Sequence, residues 1–155
     1  MSFPTKDTIY GTIIYDNKKY ELLNNPLNES LYHKIIQYKD DNNCGISTAP
    51  WSVNNFEWLI EDNKIYLISV KLKLCEKKGN IIFDIFNTNK LFASWLNDKI
   101  KLLISKKKIE TMKNGKIKMQ RDILILKFSE GIVTNARKKT EDYQTLNLKY
   151  YIDEE

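Results

Sequence analysis

The chain of 155 residues is poor in the residue types on which many active sites depend. It contains one histidine, two cysteines, five glycines and three prolines. A nucleophilic triad needs a base beside the nucleophile, and the sole histidine, His33, lies in a predicted amphipathic helix. His33, Cys44 and Cys75 also have no recognised zinc-site spacing. We therefore expect no catalytic residue, no metal and no cofactor.

The five glycines form neither the dinucleotide-binding pattern nor the P-loop pattern, which excludes nucleotide binding by those two routes. Acidic residues could still converge in space as paired carboxylates, so a small hydrolase stays open as an alternative. No run approaches the ~18 apolar residues of a membrane helix, and the N-terminus lacks the features of a signal peptide. These absences predict a cytoplasmic protein with no membrane partner, in which the two cysteines are reduced, with a disulfide as the alternative.

The length suits a single domain over residues 1–155, and its apolar residues occur in short runs. Turn residues separate these runs at "DNKK", "EDNK", "MKNGK" and "SEG", and the alternation after "EDNK" predicts that Tyr66, Ile68 and Val70 share one face. Asn28 is placed to cap a helix, while residues 81–86 fit either helix or strand. The pattern predicts an α+β, mainly β fold, a single curved or partly closed antiparallel sheet of about eight short strands with one or two short helices.

Positive charge is concentrated in one segment. The net charge is +5, but residues 99–121 contain nine cations and one acid, a local balance of +8 that leaves −3 for the remainder. The cations are Lys99, Lys101, Lys106, Lys107, Lys108, Lys113, Lys116, Lys118 and Arg121. They indicate either a surface that binds an acidic protein or a phosphate backbone, or a solvated hairpin whose lysines discourage aggregation. No aromatic residue lies between Trp95 and Phe128, which disfavours binding by base stacking.

The tryptophans at positions 51 and 58 differ in their predicted environments. Trp58 shares a strand face with Phe56 and is predicted to lie in the core. Trp51 follows Pro50, which favours a loop leading into that strand. Its ring is therefore expected either to pack in the core or to line the rim of a binding site.

Three blocks of the sequence, "STAPWSVNNFEWLIEDNKIYLISVKL", "LFASWLNDKIKL" and "DILILKFSEGIV", resemble a family of small uncharacterised bacterial proteins. The family has a Trp-x6-Trp-x6-[KIL]-Tyr-Leu hairpin block, and the resemblance covers about residues 46–135. Pro50, Ser52 and Val53 stand where the family commonly has a cysteine, an arginine and a glycine. The resemblance implies a shared hairpin and no established activity.

These observations favour a non-enzymatic protein that binds another protein. The specific prediction is an immunity protein that neutralises a bacterial toxin stoichiometrically, with residues 99–121 and Trp51 contacting an acidic toxin surface. The alternative is nucleic-acid binding through residues 99–121. A third hypothesis is a small-ligand binder or hydrolase with its site beside Trp51.

Overall fold

The fold is described from a computed structural model, which defines residues 9–41, 56–71 and 81–146. Trp51, Cys44 and Cys75 lie outside these residues. Residues 147–155 lie outside them as well. The hypotheses that rest on these parts of the chain stay predictions.

The first two strands form the opening hairpin that the sequence predicts. β1 (Thr12–Tyr15) and β2 (Lys18–Leu22) pair antiparallel. Asp16 and Asn17 between them have φ angles of 52° and 64°, the left-handed values of a two-residue hairpin turn. Aspartate and asparagine adopt this region more readily than other non-glycine residues, so the turn fixes the register of the hairpin.

Helix α1 (Glu29–Asp41) begins at the predicted cap. The Asn28 Oδ1 atom accepts a hydrogen bond of 2.8 Å from the Leu31 amide, which satisfies one of the donors left free at a helix start. Leu31 and Ile35, four residues apart, are buried in the main core, while His33 is exposed. The helix therefore covers the sheet with one apolar face.

The second hairpin consists of β3 (Phe56–Glu61) and β4 (Lys64–Val70). Its turn residues Asp62 and Asn63 also have left-handed φ angles, 53° and 63°. Trp58 is fully buried, which confirms its assignment to the core. Its indole Nε1 has no hydrogen-bond partner among the described residues, so the ring contributes there by packing.

The predicted face of β4 is wrong in the first half of the strand. Ile65 and Leu67 are fully buried, whereas Tyr66 and Ile68 are only partly buried. The cause is a β-bulge, because β3 pairs with Leu67 and then with Ser69, which leaves Ile68 as an extra residue. The bulge changes which side chains point inward, and Val70 is buried as expected.

Residues 81–86, which fitted either helix or strand, form the short helix α2 (Ile81–Phe86). The two-residue strand β5 (Leu91–Phe92) follows and pairs with β4. The last three strands are much longer than the others, with bounds β6 (Lys99–Thr111), β7 (Lys116–Ser129) and β8 (Ile132–Leu146).

The fold is mainly β, with eight strands and two short helices among the described residues, as predicted. Seven strands close into a barrel in the order β3-β1-β2-β6-β7-β8-β4, and β4 returns to pair with β3. The barrel is mixed because β1 and β3 pair parallel, with Ile13 opposite Trp58. A parallel pair needs a long crossover, and β2 and α1 supply it between these two strands.

The barrel interior is filled by large apolar side chains from all parts of the sheet. Those that are essentially inaccessible to solvent and belong to the main core include Ile13, Leu22, Trp58, Ile65, Leu67, Ile100, Leu102, Leu126 and Phe128. The half-buried Trp95 donates a hydrogen bond of 2.8 Å from Nε1 to the Pro26 carbonyl, which holds the loop before α1 against the segment after β5. Neither described helix is long and apolar enough to cross a membrane.

The barrel closes at Gly131, in the turn between β7 and β8. The Gly131 amide donates to the Leu96 carbonyl at 2.8 Å, and its carbonyl accepts from the Ile65 amide at 3.0 Å. Its φ angle is +80°, and a Cβ atom there would lie 2.5 Å from the Ala93 carbonyl oxygen. Only glycine can meet both the conformation and this close approach.

We expect Gly131→Ala to destabilise the protein by on the order of 3 kcal/mol or more, because it adds a backbone clash to the left-handed conformation. Gly115 is the matched control, since its φ angle of 82° is nearly the same and it lies in the turn between β6 and β7. Gly115→Ala should cost about 1–2 kcal/mol. Urea unfolding of both variants measures the difference, and equal costs would show that the approach to Ala93 contributes nothing.

A cationic β-arm as candidate functional site

The three long strands continue past the barrel as an antiparallel arm. We define the arm as residues 104–111 of β6, 116–122 of β7 and 140–146 of β8. β2 pairs with β6 only at Leu102 and Leu103, and every residue from 104 to 111 is exposed. At ~3.4 Å per residue the arm reaches about 25 Å from the barrel.

One face of the arm carries a cross-strand row of polar side chains. Thr140 donates from Oγ1 to Asp122 Oδ1 at 2.6 Å, and Ser105 donates from Oγ to Asp122 Oδ2 at 3.2 Å. Because the hydrogen bond from Thr140 stabilises the carboxylate, with smaller contributions from Ser105 and the charge of Lys107, the pKa of Asp122 lies below its ordinary value. In the next row, Gln120 donates from Nε2 to Asp142 at 3.1 Å.

The opposite face of the arm contains a charged cluster that is largely buried. The Arg121 residue is only 5% exposed, and its Nη2 atom lies 3.4 Å from Glu141 Oε1. The guanidinium stacks over the Tyr143 ring, 4.7 Å from its centroid. Lys101 approaches the same Glu141 oxygen at 3.9 Å. Glu141 therefore neutralises two cations where the arm leaves the barrel.

Apolar side chains from β7 continue the buried face toward the barrel. Ile123 and Ile125 are nearly inaccessible, while Asp122 is exposed, Leu124 is half-buried and Leu126 is buried in the main core. They lie on the same side of β7 as Arg121, because residues two apart share a face. This buried face is distinct from the main core, which Leu124 and Leu126 meet on the other side of β7.

The structure places most of the predicted cations on or beside the arm, and their environments differ. Lys106, Lys107 and Lys108 are consecutive and exposed on β6. The lysines at positions 113, 116 and 118 lie in or after the turn at the arm's tip, and Lys99 begins β6 within the barrel. Lys101 and Arg121 form ion pairs with Glu141, so they stabilise the arm. The candidate contact surface therefore consists of the other cations.

The prediction missed the cations that β8 brings to the base of the arm. Arg137, Lys138 and Lys139 are all exposed. Together with Ile104 and Asp122, the two lysines line a shallow hollow of about 340 Å³. The run "RKK" was visible in the sequence, but its pairing with β7 was needed to place it at the base of the arm.

His33 lies in an open groove of about 750 Å³ along α1, away from the arm. Its Nε2 atom is 3.4 Å from Glu29 Oε1, and both side chains are largely exposed, at 68% and 88%. Ser30 lines the same groove, but no hydrogen bond joins it to His33 within the described ranges. No group of three or more histidine, cysteine or carboxylate side chains suited to a metal ion occurs there either.

The fold and the arm together define a closed, mixed β-barrel that presents a lysine-rich β-arm. Comparison with known proteins adds no further assignment, since no family model, no curated protein and no solved structure matches the chain. The resemblance to small bacterial proteins therefore stays a prediction.

We expect Thr140→Val to raise the pKa of Asp122 toward its ordinary value, because it removes the strongest hydrogen bond to the carboxylate. A carboxyl whose pKa is lower in the folded state stabilises the fold above its unfolded pKa, and this contribution is lost as the pH falls through the folded pKa. Carboxyl NMR titration measures the shift, with Thr134→Val as control because Thr134 bonds to a backbone carbonyl. An unchanged titration of Asp122 in the Thr140 variant would contradict the assignment.

We expect Glu141→Gln to destabilise the arm by about 2–3 kcal/mol, because it removes a counter-charge from the buried Arg121 guanidinium. Replacing both partners with apolar residues, as Arg121→Met with Glu141→Leu, should recover most of this loss. Hydrogen exchange of the arm amides in β7 and β8 reports local stability. If the single and double variants exchange equally fast, Glu141 does not act through Arg121.

Proposed function

We propose that this protein is a non-enzymatic binding protein whose arm docks onto an acidic protein, and that its specific role is stoichiometric neutralisation of a bacterial toxin. The observation that carries the proposal is the run Lys106, Lys107 and Lys108. All three are exposed, and none makes an ion pair within hydrogen-bonding range among the residues that the structure describes, although the charge of Lys107 acts on Asp122. A negatively charged partner would supply closer counter-charges.

The arm offers apolar contacts of the kind that protein interfaces use. Ile104 and Ile109 flank the three lysines and are 40% and 44% exposed. Burying such side chains against a partner stabilises a complex in a way that a phosphate backbone does not exploit. The sole aromatic ring of the arm, Tyr143, is buried under Arg121, so it cannot stack on a base. These features favour a protein over a nucleic acid.

The separation of charge within the molecule supports rapid and oriented association. Residues 99–121 carry a balance of +8 against −3 for the remainder of the chain, and although Asp122, Glu141 and Asp142 of the arm offset part of this charge, Arg137, Lys138 and Lys139 add to it at the base. A field of this kind attracts an acidic surface and turns the arm toward it before contact. Rapid association suits a protein that must capture a toxin before the toxin acts.

The test is to express the protein together with the product of each neighbouring gene and to measure survival and 1:1 co-purification. Lys106→Gln, Lys107→Gln and Lys108→Gln combined should weaken the complex at least about tenfold, chiefly through slower association. Lys18→Gln, Lys71→Gln and Lys127→Gln combined form the control, because these exposed lysines lie outside the arm and remove the same total charge. The control should bind as the unmodified protein does.

Two results would overturn the proposal. One is neither protection nor co-purification with any neighbouring gene product. The other is tight binding to a duplex or single-stranded oligonucleotide with an affinity that falls steeply with salt and with the loss of the three arm lysines. That result would make the arm a nucleic-acid surface.

A further inference from the structure

The arm has an outer edge on β6, on the side that faces away from β7. Beyond Leu103, no described strand lies on the side of β6 that faces away from β7. The residues of this edge are exposed, so its main-chain groups face solvent. An edge of this kind is a template onto which another extended segment can add.

The hydrogen bonds at the start of β6 show which main-chain groups point outward. The Lys101 amide donates to Asn24 Oδ1 and its carbonyl accepts from the Leu23 amide, so both groups face away from β7. Lys101 pairs with Ile125 of β7, Lys106 pairs with Arg121 and Lys108 pairs with Met119. Arg121 and Met119 are four and six residues from Ile125 along β7. Main-chain groups alternate in direction along a regular strand, so β7 residues an even number of positions apart point their amides and carbonyls the same way, and the same holds for their partners on β6. The amides and carbonyls of Lys106 and Lys108 therefore face outward too.

Two β-bulges limit the length of the usable edge. The register of β6 against β7 shifts between Leu103 and Ser105 and again between Lys108 and Glu110, which leaves Ile104 and Ile109 as the extra residues. Between them, residues 105–108 form a regular segment of four residues. Bulges interrupt strand pairing, so an added strand would pair over this window and meet an exposed isoleucine at each end.

The positive charge of residues 105–108 determines which kind of strand can pair with them. A second copy of the chain added antiparallel about Lys107 would set Lys106 against Lys108 and Lys107 against itself, which like-charge repulsion disfavours. An acidic strand would instead place carboxylates opposite the lysines. β8 is less suited to such a partner, because Glu141 and Asp142 lie within its part of the arm.

We propose that residues 105–108 of β6 bind an acidic extended segment of the partner by strand addition, through the main-chain groups of Lys106 and Lys108. This inference rests on the proposed function and specifies how the arm would engage its partner. The lysine side chains provide selectivity for acidic sequences, and the backbone provides the directional hydrogen bonds.

The experiment uses a capped seven-residue peptide of alternating glutamate and threonine, titrated into the ¹⁵N-labelled full chain. We expect saturable shifts concentrated at the amides of residues 104–109 and slower hydrogen exchange at Lys106 and Lys108. The same peptide N-methylated at every interior residue keeps the charge and loses the donors, so it should bind at least about tenfold more weakly. A peptide with glutamine in place of glutamate should also bind more weakly.

Lys108→Pro and Lys108→Gln are the matched protein variants. Both remove the same charge, but only proline removes the outward amide, and proline is tolerated where an edge N–H faces solvent. The proline variant should bind the acidic peptide and the partner several-fold more weakly than the glutamine variant. Retention of the remaining amide resonances would confirm that both variants fold.

The outcomes separate the two proposals. If a neighbouring gene product binds and protects while the N-methylated peptide and Lys108→Pro behave as their controls do, strand addition is wrong and the proposed function stands. If the acidic peptide adds at residues 105–108 while no neighbouring gene product binds, the edge is real and toxin neutralisation is wrong. Absence of any peptide binding at millimolar concentration would overturn the inference.

Discussion

The structure depends on the close approach of the β7–β8 turn to β4 and to the segment after β5. Gly131 links Leu96 and Ile65 through its two main-chain groups, and no side chain can be accommodated at that point. The link turns an open sheet into a barrel, because β8 has its described pairing with β4 only beside this turn. With the barrel closed, the antiparallel strands β6, β7 and β8 remain paired beyond it and form the arm.

The barrel and the arm are stabilised by different interactions. Inside the barrel, large apolar side chains such as Trp58 and Phe128 are removed from water. The arm has a polar row on one face, centred on Asp122, and a buried ion pair over an aromatic ring on the other. A charged pair in a partly dry environment needs good geometry to compensate its desolvation, and Tyr143 and Lys101 contribute to that geometry.

This division explains how a lysine-rich segment can be ordered without burying its lysines. Hydrogen bonding to β7 fixes the backbone of residues 105–108, while their side chains stay in water. The lysines that discourage self-association of this edge by mutual repulsion are the same ones that would attract a partner of opposite charge. The solvated-hairpin interpretation and the binding interpretation of the segment are therefore compatible, since one charge distribution serves both.

The sequence by itself determined the local elements. Turn pairs such as Asp62 and Asn63, the cap at Asn28 and the strand face of Phe56 and Trp58 depend on neighbours along the chain, and the structure confirms them. Tertiary structure alone decided the parallel pairing of β1 with β3, the bulge at Ile68 and the closure at Gly131. It also decided which cations are paired with an acid. Arg121 and Lys106 are both cations of the same segment, but of these two Glu141 lies beside Arg121 alone, and it is twenty residues from Arg121 along the chain. Contacts between distant residues depend on how strands are ordered in the sheet, and local periodicity carries no information about that order.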